Sequence, residues 1–212
     1  MKLKIDKLYE FILLFIIAAF LGDIIEMIFC RITDGVWMSR SSVVWGDFSI
    51  VWGLGAAGLT LFMQKYSRRS PAFIFIAGTI LGGIYEYACS VFTELVFGAV
   101  FWDYSHIPLN FNGRINFLFC LFWGVAAVVW IKLLYPVILK IFEKLPTRAG
   151  KTLAWIFALF MLADIVISSM ALSRCSQRSH GIVPQNLLQA AIDESFGDER
   201  MKKIYPNAIM VD

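Results

Sequence analysis

Four carboxylates lie inside long apolar runs of this sequence: Asp23, Glu26, Glu86 and Asp164. An ionised side chain at the centre of a membrane helix costs at least about 2.5–3.5 kcal/mol on insertion scales, so each must be paired, protonated or in contact with water. Gly22 and Glu26 stand four residues apart, as do Gly82 and Glu86. That spacing puts a glycine and a carboxylate on one face of a helix and lets a neighbouring helix approach beside the acid. The chemistry on offer is a polar pathway or ligand site built from acids of several helices, with the two glutamates facing each other across a pseudo-axis. The structural alternative is acids that fasten helices, with Arg31 or Arg114 as partner. For Asp164 the first reading is favoured, because its own segment offers no neighbouring base.

A second group lies between two apolar runs, in the stretch from Phe101 to Arg114, FWDYSHIPLNFNGR. Tryptophan and tyrosine favour the headgroup level of a bilayer, and an aromatic loop that rejoins a helical bundle can cap a cavity or re-enter it. Asp103, His106, Asn112 and Arg114 are its candidate ligand contacts. The alternative is an interfacial anchor tied down by an Asp103–Arg114 pair, in which His106 is a hydrogen-bonded structural residue. The candidate pathway residues are therefore Asp23, Glu26, Glu86, Asp103, His106, Asn112, Arg114 and Asp164, with no catalytic residue assigned.

Other chemistries lose their footing. Cys30, Cys89, Cys120 and Cys175 are scattered singly, and His106 and His180 are the only histidines, which argues against a zinc or iron–sulfur centre. Cysteine in an apolar helix behaves as a small hydrophobe, although a Cys30–Cys89 bridge near the outer ends stays open. Ala149-Gly150-Lys151-Thr152 resembles the end of a phosphate loop, but Leu145 stands where the first glycine is needed and no strand precedes it. There is no GxSxG turn and no HExxH. No cofactor is implied, and a non-enzyme is favoured over an enzyme.

The elements that must position these residues are membrane helices. A chain of 212 residues that is 59% hydrophobic and 17% charged, with mean hydropathy +0.71, has too little polar surface to dissolve as a globule. Crossing the hydrocarbon core takes roughly 20 apolar residues in a helix. The expected fold is all-α, a polytopic bundle of about five transmembrane helices over residues 1–174, followed by an amphipathic tail over 175–212. The helices are placed at about Leu8–Cys30, Phe48–Met63, Ala72–Phe97, Ile115–Val137 and Thr152–Leu172, the last closing a fifth-helix segment of about 152–173. The head resembles a secretory signal but lacks a cleavage site and continues to Cys30, so it is expected to be retained.

Lys2, Lys4 and Lys7, the Lys65–Arg69 group and the Lys140–Lys151 group fall on one side of this arrangement, which makes that side and the N-terminus cytoplasmic. Pro146 and Gly150 are expected to mark a turn. The C-terminus is then outside, with Arg174 and Arg178. In the tail, Leu187, Leu188, Ala191 and Ile192 share one face of a short helix, and Asp198 is placed to cap another running to Tyr205. The small net charge of +3 is spread over loops, which suits anionic lipid and excludes a nucleic-acid surface.

Leu21-Gly22-Asp23-Ile24-Ile25-Glu26 matches Leu81-Gly82-Gly83-Ile84-Tyr85-Glu86, and Trp37, Gly46 and Trp52-Gly53 find counterparts in Trp102, Gly113 and Trp123-Gly124. These matches imply an internal duplication, repeat one about 8–65 and repeat two about 71–140. A unit of two spans begins each copy on the same side, so the hairpins share one orientation about an axis along the membrane normal.

The run FWDYS-x-x-P-x-N-x-NGRI followed by FxLFWG, the early LG-x-x-x-E helix and the tail FGDERMKKIYPN resemble the CmpB-like family of bacterial integral membrane proteins, the ABC-transporter type IV permeases. The similarity covers nearly the whole chain. It implies a multi-pass inner-membrane transport component, and it brings no functional residues with it. Trp45-Gly46-Asp47-Phe48-Ser49-Ile50-Val51-Trp52-Gly53 departs from the proline-containing stretch expected at the start of the second helix. The first reading is a permease-like subunit with an acidic pathway under an aromatic outer loop, working as a homo-oligomer or with a separate ATPase subunit on a small-molecule or lipid ligand. The alternatives are an intramembrane enzyme acting on a lipid or lipid-linked substrate, and a non-transporting scaffold or sensor.

Overall fold

The computed structural model describes residue 5 and residues 7–211. The basic residues Lys2 and Lys4 lie outside the described residues. Seven helices follow in chain order: α1 (Leu8–Thr33), α2 (Ile50–Met63), α3 (Pro71–Phe97), α4 (Phe117–Lys144), α5 (Thr147–Ser179), α6 (Leu187–Ser195) and α7 (Asp198–Ile204). The chain is an all-α, multi-pass membrane bundle. Two-residue strands pair as β1 (Ala99–Val100) with β4 (Ile209–Met210), and as β2 (Asn110–Phe111) with β3 (Ile115–Asn116).

Four helices, α1, α3, α4 and α5, are long and apolar enough to cross a membrane. The remaining expected span, Phe48–Met63, is α2, whose 14 residues and one further 3-10 turn, Gln64–Tyr66, leave it short of the roughly 20 that a full crossing takes. The chain before it makes up the difference without helix. Residues 41–49 fold back between α1 and α5, with Ser41, Val43, Val44 and Ser49 buried. Such irregular backbone survives at membrane depth only where protein satisfies its polar groups. Here Ser49 N donates to the Ala19 carbonyl at 3.0 Å and Val44 N to Ser168 Oγ at 2.8 Å.

Local sequence sets most helix ends. Ser70 accepts from Phe73 N, Pro71 occupies the first turn, and Gly98 closes α3 with φ +60°. Asn116 accepts from Leu118 N and opens α4. A π-helical turn, Trp130–Leu134, lets α4 carry Pro136, and burial of Ile138, Leu139 and Phe142 takes the helix past the expected end at Val137. Only Leu145 and Pro146 are non-helical, so Gly150 lies inside α5 rather than in a turn. It sits there because a side chain would meet the Tyr9 ring at 2.8 Å.

The α1–α2 and α3–α4 hairpins pack side by side, and α5 lies along α1 in the same direction, Tyr9 beside Gly150 and Ile16 beside Met161. One core cluster fills the half of the bundle near Ile5, around Leu14, Ile74, Trp130 and Tyr135. A second lies at the opposite end, where Ile192, Phe196, Met201 and Tyr205 pack on Ala171, Leu172 and Val44.

The tail therefore packs on the bundle, but by other residues than expected. Leu187 and Leu188 are 90% and 60% exposed, whereas Ile192 and Phe196 are buried. α6 is oriented by ion pairs: Arg174, 3% exposed, holds Asp193 at 2.5 Å, and Arg178 holds Asp193 and Asp198. Asp198 does not cap α7; Gly197 occupies that position. The arginines hold the Asp193 carboxyl below the usual carboxylate range, the Arg174 hydrogen bond first.

Candidate functional site

The two hairpins meet at their carboxylates through contacts that correspond atom for atom. Added to Gly22, a Cβ would collide with Cβ and Cγ of Trp52; added to Gly82, it would collide with the same atoms of Trp123. Gly53 faces the Phe15 ring, which a Cβ would meet at 2.7 Å, and Gly124 faces the Phe75 ring, met at 2.9 Å. In every match the first-helix residues stand 60 positions apart and the second-helix residues 71. The glycines let each indole lie against the partner helix.

Each indole then reaches its own hairpin's acid. Trp52 Nε1 donates to Glu26 Oε2 at 2.9 Å, and Trp123 Nε1 to Glu86 Oε2 at 3.0 Å. The two indoles lie against each other, centroids 5.0 Å apart and planes inclined 33°. The glutamates are thus not face to face; they close the ends of a chain Glu26–Trp52–Trp123–Glu86. Tyr85 packs edge-on to Trp123 at 6.0 Å and donates to the Val51 carbonyl at 2.7 Å, joining the hairpins a second time.

The second oxygen of each acid is covered by a loop. Arg40, from the connection between α1 and α2, donates through Nε to Glu26 Oε1 at 2.8 Å and through Nη2 to the same oxygen. Tyr104, from the connection between α3 and α4, donates to Glu86 Oε1 at 2.8 Å and stacks on Phe119 at 4.7 Å and 14°. Burial, then the neighbouring Glu86 charge, pushes the Tyr104 hydroxyl above its ordinary range, which keeps it a donor. Arg31, one of the expected partners, bonds the Gly35 carbonyl instead.

The remaining candidates separate. Asp164 is fully buried on α5 and accepts from Trp45 N at 3.2 Å and Ser168 Oγ at 3.2 Å, so it holds the re-entrant loop rather than joining the glutamates. Asp23 is 0% exposed, and neither of its oxygens has a hydrogen-bond partner among the described residues. Asp103 is exposed and caps Ser105 N and Oγ, both at 2.8 Å, which lowers its carboxyl, the backbone bond first. The expected Asp103–Arg114 pair does not form. Arg114 pairs with Glu94 and donates to Ser90 Oγ at 3.1 Å, because its side chain runs back along α3. His106 is exposed, and Asn112, at φ +53°, donates to the Tyr87 hydroxyl at 3.3 Å.

Cys30, Cys89, Cys120 and Cys175 are all free. No group of three or more histidine, cysteine or acidic side chains among the described residues is arranged to hold a metal. Gly46 and Gly113 share left-handed backbone, φ +79° and +67°, but the proposed counterparts Trp37 and Trp102 differ. Trp37 is 66% exposed, while Trp102 donates to the Arg114 carbonyl at 2.8 Å.

Arg40 and Tyr104 were not among the residues picked out from sequence. Their signal was weak: Arg40 is one base in a serine-rich loop, and Tyr104 is one aromatic among several. Trp52 and Trp123 stood out as repeat markers, and the indole N–H at the i,i+4 Gly–Glu face is what converts them to site residues.

The family model that matches this chain is described as "Putative ABC-transporter type IV" and covers residues 13–169, from the second turn of α1 through α2, α3 and α4 to most of α5. No curated protein and no solved structure matches the chain.

Proposed function

Since the chain belongs to the ABC-transporter type IV family and crosses the membrane several times, we propose that it is a transport component whose substrate-facing site is the Glu26–Trp52–Trp123–Glu86 chain. The observation that carries this reading is the doubled arrangement: each acid is held by the indole of its own hairpin and covered by one residue of the following loop. Acids whose covering partners come from loops can be uncovered without unfolding a helix. Arg40 and Tyr104 are then lids in a closed state, and the hairpins are copies of one unit turned about the membrane normal.

The opposite end is basic. Lys65, Arg68, Arg69, Lys140, Lys144, Arg148 and Lys151 lie near the ends of α2, α4 and α5, which is the cytoplasmic side in this reading. With no nucleotide-binding loop in its own sequence, the chain takes energy from a separate ATPase subunit docked there, or from an ion gradient. The tail and both lid loops then face outward, in the inner membrane of a bacterium.

The test is uptake from a metabolite mixture into proteoliposomes, read by mass spectrometry. The wild-type chain accumulates at least one species that Glu26→Gln and Glu86→Gln do not, while Asp103→Asn and His106→Ala retain it. Uptake unchanged in both glutamine variants overturns the site. Turnover of a lipid in detergent, lost with His106 or Asp103, moves the chain to the enzyme class.

A further inference from the structure

Of the four acids in the apolar runs, Asp23 is the one that has no hydrogen-bond partner among the described residues. Its counterpart 60 positions on is Gly83, where a Cβ would meet Cys120 Sγ at 2.8 Å, so a side chain in the second hairpin would have to displace that thiol, and packing of the first does not call for an acid. Asp23 is fully buried with both oxygens unpartnered, whereas Glu26, three residues on, has three donors. A carboxylate sunk without a hydrogen bond or a counter-ion costs several kcal/mol, and the same group neutralised by a proton costs far less. The charged groups that act on it are Glu26 on its own helix and Asp47 and Arg40 from the re-entrant loop. α2 carries no charged residue, and the acid of α5, Asp164, is engaged by the loop backbone.

We propose that Asp23 is a proton-binding site: it holds a proton in the closed arrangement and, on releasing it to outer water by way of exposed Asp47, draws Arg40 away from Glu26. The proton leaves the Asp23 carboxyl for an entering water and passes by way of the exposed Asp47 carboxylate to the outside. The carboxylate left behind attracts the Arg40 guanidinium that Glu26 holds. Uncovering of Glu26 is then linked to proton release, which makes a proton the coupling ion of the site. This rests on the reading of Arg40 as a lid.

Infrared spectroscopy of the full chain in liposomes reads the proton directly. The wild type shows the carbonyl stretch of a protonated, deuterium-exchangeable carboxylic acid at neutral pH. That band disappears in Asp23→Asn, and in Asp23→Ser should the first variant fail to fold, and it persists in Glu26→Gln and Glu86→Gln. Raising the pH removes the band and shifts the Trp52 emission together, and Asp47→Asn slows deuteration of the band several-fold. A band untouched in both Asp23 variants, or lost in Glu86→Gln instead, overturns the assignment. An emission shift that survives in Asp23→Asn overturns the link to Arg40, and unchanged deuteration in Asp47→Asn overturns the route. The uptake of the glutamine variants judges the transport site separately, because the band is present or absent whether or not anything is carried.

Discussion

The two hairpins share a framework and differ in what closes it. In α1–α2 the acid meets a guanidinium from a loop that dives back into the bundle; in α3–α4 it meets a phenol from a loop folded over itself as the β2–β3 ribbon. Glu26 is therefore half of an ion pair, and Glu86 accepts from two neutral donors. One scaffold can hold a carboxylate under either cover, because the glycine, indole and phenylalanine contacts fix the helices before the cover is chosen. The asymmetry lies in the loops, which the shared helix contacts do not constrain.

The strongest way to break this comparison is to remove both covers in turn. Arg40→Ala leaves Glu26 without its cation and is expected to cost about 3 kcal/mol, because a half-buried charge loses its partner. Tyr104→Phe removes one neutral hydrogen bond and costs about 1 kcal/mol. Denaturation midpoints of the purified chain in detergent check the order, and equal losses would erase the distinction between ionic and neutral covers.

The shared framework is tested next. Gly22→Ala and Gly82→Ala each force a methyl onto an indole, for an expected loss of about 1–3 kcal/mol, and the two losses should be alike. A large loss at one glycine only would mean that the hairpins are not equivalent. Gly58→Ala is the contrast: nothing lies within 4 Å of the added carbon, so the helix is expected to gain up to about 1 kcal/mol.

The smallest effect concerns the tail, which has no counterpart between the hairpins. Arg174 and Arg178 depress the Asp193 carboxyl, so its contribution is present above the usual carboxylate value of about 3.9 and is lost as pH falls through the depressed one. Limited proteolysis of residues 187–205 is expected to stay slow at pH 5 and to accelerate only below the normal carboxylate range. Acceleration near pH 5 would mean that the arginines do not hold it.

Helix periodicity carried much of this architecture into the sequence. The i,i+4 Gly–Glu spacing placed both acids beside a close helix contact, and the apolar run expected at Ala72–Phe97 came within one residue of α3. What was not legible came from groups that cross between elements. Arg40 reaches an acid 14 residues earlier only because its loop re-enters the bundle, and Arg114 turns back to Glu94 rather than across to Asp103. The end of α4 was hidden because Lys140 and Lys144 read as a basic connection, whereas Ile138, Leu139 and Phe142 carry the helix on against the core. In the tail, apolarity alone could not separate Ile192, which faces Ala171 and Leu172, from Leu187 and Leu188, which do not.

The strap made by Ile209–Met210 on Ala99–Val100, with Val211 N on the Gly98 carbonyl and the Tyr205 hydroxyl on the Ser42 carbonyl, has a consequence for biosynthesis. These anchors leave the ribosome after α1 to α5 have been made, and they fasten both connections that bear Arg40 and Tyr104. A nascent chain can insert its four long apolar helices and still have these connections unlatched. Their closure waits for residues 205–211 to be made and to fold back.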